Sequence, residues 1–197
     1  AGLRIPYMIL ADQRYDDRML FENAYDLLSG VWLGNYDAYA LAKGIGYPMF
    51  LVLAKKLCLP YSVLLALLQA VGAWLFVRAL SVRWKNPYGQ TLLYLLLLFS
   101  PISLTQLVTQ RLYRMAIVPG MVLVVFSGMI GLTLRKELPL KKQLPWAVLT
   151  GMALAFFWQI REDSVWILPF IAVMTVWNVG YVILALHKKR TGRQLLL

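Results

Sequence analysis

Asp16 and Asp17, in the run Tyr15-Asp16-Asp17-Arg18, are the residues of this chain best suited by type and spacing to do chemistry. Crowded like charges raise the pKa of one carboxyl, and desolvation raises it further, so such a pair can supply a general base, a metal ligand or both. Mg²⁺ or Mn²⁺ is the cation two carboxylates would take, although hard-cation sites need more oxygen ligands than this run offers. The pair equally suits a helix start, with Asp16 as N-cap and Asp17 as a first-turn acid favoured by the helix dipole. Of the nine acidic residues, six (Asp12, Asp16, Asp17, Glu22, Asp26 and Asp37) precede Tyr47. The candidate chemistry is therefore gathered in one N-terminal segment.

The cations that could accompany these acids are spread more widely. Lys43 stands beside the glycine-rich break Gly44-Ile45-Gly46-Tyr47-Pro48, where an ammonium can meet a lipid phosphate or act as a snorkelling anchor. Arg111 and Arg114, three apart on one helical face, suit phosphate oxygens. Arg161-Glu162-Asp163 is a very short link between two apolar runs, and its plain reading is a self-paired helix cap. No GxxxxGK[ST], GxGxxG, HExxH or GxSxG pattern occurs. The single histidine, His187, lies beside a basic cluster, which excludes His-based triads and His-rich metal sites.

The elements that must position these residues are apolar. The 197 residues are 60% hydrophobic and 15% charged, with mean hydropathy +0.65. A soluble domain of this size cannot hide that much apolar surface, so a bilayer must be its solvent. Five apolar runs read as membrane spans: Tyr61–Leu80, Thr91–Thr109, Met115–Leu134, Leu144–Ile160 and Val165–Leu186, each near the ~20 residues a spanning helix needs. Pro101, Pro119 and Pro169 fall inside spans, where neighbouring helices accommodate kinks. Gly128 and Gly131 read as packing positions within a span. Ahead of the spans, residues 1–60 form an acidic loop with amphipathic and interfacial helices, and 61–197 form the transmembrane domain.

Within that loop, Asp16 to Ser29 reads as an amphipathic helix with Leu20, Ala24, Leu27 and Leu28 on its apolar face and Gly30 as its stop. Met49–Leu59 reads as a short apolar helix that lies along the surface or re-enters, since roughly 11 residues cannot cross a hydrocarbon core. Cys58, the only cysteine, reads as a small buried hydrophobe.

The formal net charge of +11 is concentrated in short clusters between spans. That distribution is a topology and headgroup signal, not a nucleic-acid footprint. Arg83-Trp84-Lys85, then Arg135-Lys136 with Lys141-Lys142, then Lys188-Lys189-Arg190 with Arg193, fall on alternate loops and so share one side. The positive-inside rule makes that side cytoplasmic and places the acidic segment, Arg111–Arg114 and Arg161–Asp163 on the outer face. No secretory signal is read in Ala1 to Tyr15, and five spans with an outer N-terminus lead us to expect a further helix upstream.

Leu27-Leu28-Ser29-Gly30, Trp32-Leu33-Gly34 and Leu41-Ala42-Lys43-Gly44-Ile45-Gly46-Tyr47-Pro48, following an acidic pair, resemble membrane glycosyltransferases of the GT-C fold. The branch is the bacterial family related to protein O-mannosyltransferases and lipid A aminoarabinose transferases. Arg111-Leu112-Tyr113-Arg114 and the run Arg161 to Pro169 are similar to segments of the same branch, so the likeness covers about Tyr15 to Pro169. It implies an integral enzyme of the bacterial plasma membrane, inverting, which takes a sugar from a polyprenyl-phosphate donor at the outer face and gives it to a glycan, lipid or protein acceptor. Asp16 or Asp17 would match the catalytic carboxylate, and Lys43 the residue on the donor phosphate. Arg111, Arg114 and Arg161 would add charge against the leaving phosphate. Glu162 and Asp163 would orient the sugar or those arginines. The chain departs from the family in lacking a preceding helix and later spans, and in Met115-Ala116, where relatives place an acid. The alternative is a non-enzymatic protein, a flippase or accessory subunit, that holds a polyprenyl phosphate with the same cations.

Overall fold

The computed structural model describes residues 16–32, 43–104, 113–161 and 164–194, and of 16, 17 and 185–194 the backbone alone; every regular element among them is helical. Helix α1 (Asp16–Leu28) ends in a left-handed turn at Gly30, φ +81°. Gly30 N–H donates to Leu27 C=O and Val31 N–H to Asp26 C=O, the paired bonds of a Schellman stop that glycine makes easy. Leu20 and Ala24 are buried as expected, but Leu28 faces outward.

Helix α2 (Gly46–Lys56) starts earlier than its apolar run, because Pro48 falls in its first turn, where a missing N–H breaks no helical bond. It ends in a second Schellman stop, Cys58 N–H to Lys55 C=O and Leu59 N–H to Ala54 C=O. Cys58 holds the left-handed position at φ +53° and is exposed, not buried as its type suggested. The backbone of the stop, not side-chain hydrophobicity, decides where it points.

Helices α3 (Tyr61–Leu80), α5 (Val118–Leu134) and α6 (Leu140–Ile160) form the centre, with α5 between the other two. Small residues let the backbones approach. A Cβ on Gly72 would sit 2.9 Å from the Gly120 carbonyl, and one on Gly128 2.6 Å from Thr150 Oγ1. Gly131 lies under the Trp146 ring. Gly128 and Gly131 thus serve the packing role assigned to them.

Helix α4 (Pro87–Leu98) lies against α3 and is capped by Asn86, whose Oδ1 accepts from the Tyr88 and Gly89 amides. It stops at Leu98 and passes into a 3-10 turn, Pro101–Leu104; the expected run on to Thr109 leaves the described residues. Gln69, only 2% exposed in mid-helix, donates through Nε2 to Leu97 C=O at 2.7 Å, a carbonyl at the break whose other donor, the Ser100 amide, is 3.4 Å away. Helix α7 (Leu168–Gln194) follows a 3-10 turn, Ser164–Ile167, and rests lightly on α5. Asn178 Nδ2 donates to Thr133 Oγ1, which donates to Met129 C=O, and Phe126 meets Phe170 edge to face.

Three stretches, Tyr61–Leu80, Pro87–Leu104 and Ser164–Leu184, are long and apolar enough to cross a membrane. Val118–Leu134 is as apolar but 17 residues long. The described residues are therefore all-helical, and three of their helical stretches have the length and composition of membrane spans.

Basic residues from separate loops meet at one end. Arg83 reaches Glu137 at 3.5 Å, and Lys136 Nζ sits 3.8 Å from the Tyr181 ring centroid of α7, whose last turns extend further the same way. Arg135, 7% exposed, donates from Nη1 to the carbonyls of Ala79 (3.1 Å) and Gly131 (3.2 Å), and from Nη2 to that of Arg78 (2.8 Å). Its guanidinium also stacks 4.2 Å from the Trp146 ring centroid. One side chain so joins α3, α5 and α6, using carbonyls that the last turn of α3 leaves open.

Candidate functional site

The opposite end of the bundle carries the sequence-selected cations. The tie is a backbone contact: a Cβ on Gly44 would collide with the Gln159 carbonyl, and one on Gly46 would stand 2.9 Å from the Gln159 carbonyl carbon. The break before α2 is thus seated directly on the last turn of α6, and Lys43, half-buried, is carried to that turn. Below it Tyr47 is fully buried, its hydroxyl 2.8 Å from that of Tyr61 at the start of α3. Phe50 meets Tyr61 edge to face. Neither the tyrosine pair nor the role of Gln159 is legible in sequence, since both depend on contacts between segments far apart in the chain.

Arg161 is the extended residue that closes α6, and its Nη1 reaches Met115 Sδ at 3.2 Å. Met115 belongs to the 3-10 turn Arg114–Ala116 that leads into α5. Arg114 lies with its guanidinium 5.8 Å from the Tyr113 ring centroid. Lys43, Arg114 and Arg161 therefore come from three separate segments to the same end, around the close of α6 and the start of α5. The fold brings these three segments to one end of the bundle. Ile117, the first residue before α5, caps it with no side-chain hydrogen bond, so the positive end of that helix adds to the field.

Arg111, Glu162 and Asp163 lie outside the described residues, as do the side chains of Asp16 and Asp17. The backbone of the acidic pair forms the first turn of α1, which rests on α2 through Leu20 and Ala24. Among the described residues no three His, Cys, Asp or Glu side chains are grouped to hold a metal ion.

Next to the cationic end is an apolar groove of about 460 Å³. Met49 and Leu53 of α2 form one wall, Leu64 and Val71 of α3 another, and Ile117 and Phe156 lie at its α5 and α6 side. Every lining side chain is aliphatic, aromatic or Met. Ile117 follows the Arg114–Ala116 turn, and Phe156 lies one helical turn and a residue before Arg161, so the groove begins where the cations end. The volume is that of a small-molecule site, but the lining offers no polar group to orient a soluble ligand. The cations do not line the groove; Arg114 and Arg161 lie three and five residues from its lining residues Ile117 and Phe156.

Comparison of the chain with protein-family models, curated proteins and solved structures returns no match.

Proposed function

We propose that this protein is part of a GT-C-type membrane glycosyltransferase that moves a sugar from a polyprenyl-phosphate donor to a glycan, lipid or protein acceptor. The observation that carries the reading is that the segments bearing Lys43, Arg114 and Arg161 lie at the end of the bundle next to an all-apolar groove. The groove takes isoprenoid tail, and the cations take the phosphate and stabilise the charge that grows on it as the sugar leaves. Asp16 or Asp17 removes the proton of the acceptor hydroxyl as it attacks the anomeric carbon. The new glycosidic bond forms as the sugar–phosphate bond breaks, and the phosphate departs on its lipid. In this reading the bundle has five spans, counting α5 and α6 with the three stretches named above, and sits in a bacterial plasma membrane with α1 and α2 on the outer face.

The test is transfer of radiolabelled sugar from a panel of polyprenyl-phosphate donors by the protein in membranes. Asp16→Asn or Asp17→Asn should lower turnover by about 100-fold or more, the scale of a lost general base. Full turnover in both variants would sink the assignment. The groove and the cations equally suit a non-enzymatic lipid handler, a flippase or accessory subunit. That reading gains if no donor is turned over by folded protein while polyprenyl-phosphate binding persists with both acids replaced.

A further inference from the structure

Helix α1 carries more apolar surface than α2 covers. Leu20 is buried in the core cluster that holds Tyr47, Phe50 and Ala54 of α2, and Ala24, one turn on, is buried as well. About 100° further round the helix, Phe21, Tyr25 and Leu28 recur at i, i+4, i+7 and all are exposed, Tyr25 at 66%. Val31 and Trp32 extend this surface past the Gly30 stop, Trp32 also at 66%. Arg18, Glu22 and Asp26 lie on the remaining arc, where Arg18 and Glu22 pair at 2.7 Å in the open. The apolar arc is thus about half the helix, and one half of that arc has no protein on it among the described residues.

What covers it follows from where α2 sits. The groove sets Met49 and Leu53 of α2 opposite Leu64 to Val71 of α3, a length of about 10 Å of helix. Those residues are the first half of a stretch long enough to cross a bilayer. Hence α2, seated at its start on the last turn of α6 and joined at its end through Pro60 to the first turn of α3, lies where the span enters the near leaflet, and its outward Met49, Leu53 and Leu57 continue the apolar surface of Leu67 and Val71. Helix α1, resting on α2, is then at the level of the headgroups. An apolar face of Phe, Tyr, Leu and Trp beside a charged face is the pattern of a helix lying in the interface.

We infer that α1 is a membrane-interface anchor, with Phe21, Tyr25, Leu28 and Trp32 seated in the leaflet nearest the N-terminal helices. The partner is the lipid surface itself. The anchor fixes the depth of the first turn, Asp16–Asp17, at the headgroup level. The inference rests on the membrane reading and is independent of glycosyl transfer.

The test uses the whole chain in phosphatidylethanolamine–phosphatidylglycerol liposomes, with the native thiol removed by Cys58→Gly. Nitroxide labels are placed singly by Tyr25→Cys, Leu28→Cys and Trp32→Cys, and by Arg18→Cys and Glu22→Cys as controls. Collision with oxygen reports lipid, and collision with a water-soluble nickel chelate reports water. Labels at 25, 28 and 32 should favour oxygen over the chelate several-fold more than those at 18 and 22. Equal, water-like accessibility at all five positions overturns the anchor. Shielding of 25, 28 and 32 from both reagents overturns it too, and identifies a protein partner on that face. Because the labels read position and not activity, failure here leaves the transfer reading to its own assay.

Discussion

Replacing Arg135 by Leu should be among the most damaging single changes outside the candidate site. The side chain donates three hydrogen bonds to carbonyls of Arg78, Ala79 and Gly131 and stacks on Trp146, so α3, α5 and α6 all lose a contact together. A hydrogen bond from a charged donor is worth about 1.5–3 kcal/mol. The Arg78 carbonyl keeps the Ser81 hydroxyl as a partner, so the three losses do not simply add. Two uncompensated bonds and a partly buried cation–π contact give about 3–4 kcal/mol. Burial, and then the charge of Arg78, holds the Arg135 guanidinium below its ordinary pKa. The sign of that shift is destabilising for the charged form, but an arginine stays protonated across the working range, so the effect should not change between about pH 5 and 9. Thermal unfolding in detergent, read by the loss of monodisperse protein, should fall by roughly 6–12 °C on the scale of domains this size. Arg135→Lys, with one donor point in place of a fork, should lose about half as much. Arg83→Ala removes the same charge at the same end from an exposed pair with Glu137, and should cost under about 1 kcal/mol. A shift for Arg135→Leu no larger than for Arg83→Ala would refute the reasoning, because the loss would then be one of charge and not of geometry.

Three further outcomes follow from the same geometry. Cys58→Gly relieves a left-handed backbone at φ +53° and should raise stability by about 1 kcal/mol in the same melting assay. Gly44→Ala drives a methyl into the Gln159 carbonyl and should cost about 1–3 kcal/mol, with weaker binding of a polyprenyl phosphate as Lys43 shifts from α6. Gln69→Leu leaves the Leu97 carbonyl with only the longer bond from the Ser100 amide (3.4 Å) and should cost about 0.6–2 kcal/mol, seen as faster hydrogen exchange at the end of α4 while α5 is unchanged.

The sequence by itself determined the helical class, the bounds of α1 to within a residue, and the sorting of charge. Those features are local: an apolar period, a glycine able to turn left-handed, and clusters of Lys and Arg on alternate loops that the structure gathers at one end. It also singled out Lys43, Arg111, Arg114 and Arg161, because cations away from the three basic loop clusters are few and conspicuous. Tertiary structure alone decided what those residues face. Leu28 belongs to the apolar arc by period, yet α2 covers only the Leu20–Ala24 half, so Leu28 points outward. Arg135 belongs to a loop cluster by composition, yet open carbonyls on α3 draw it into the bundle. Gly44 and Gly46 read as a flexible break, and become the close contact that sets α2 on α6. The groove has no sequence signature, since its lining residues are ordinary core types drawn from four helices. Period and stop are properties of neighbouring residues, whereas coverage and cavity depend on which other surface arrives, and the sequence does not write that in any one segment.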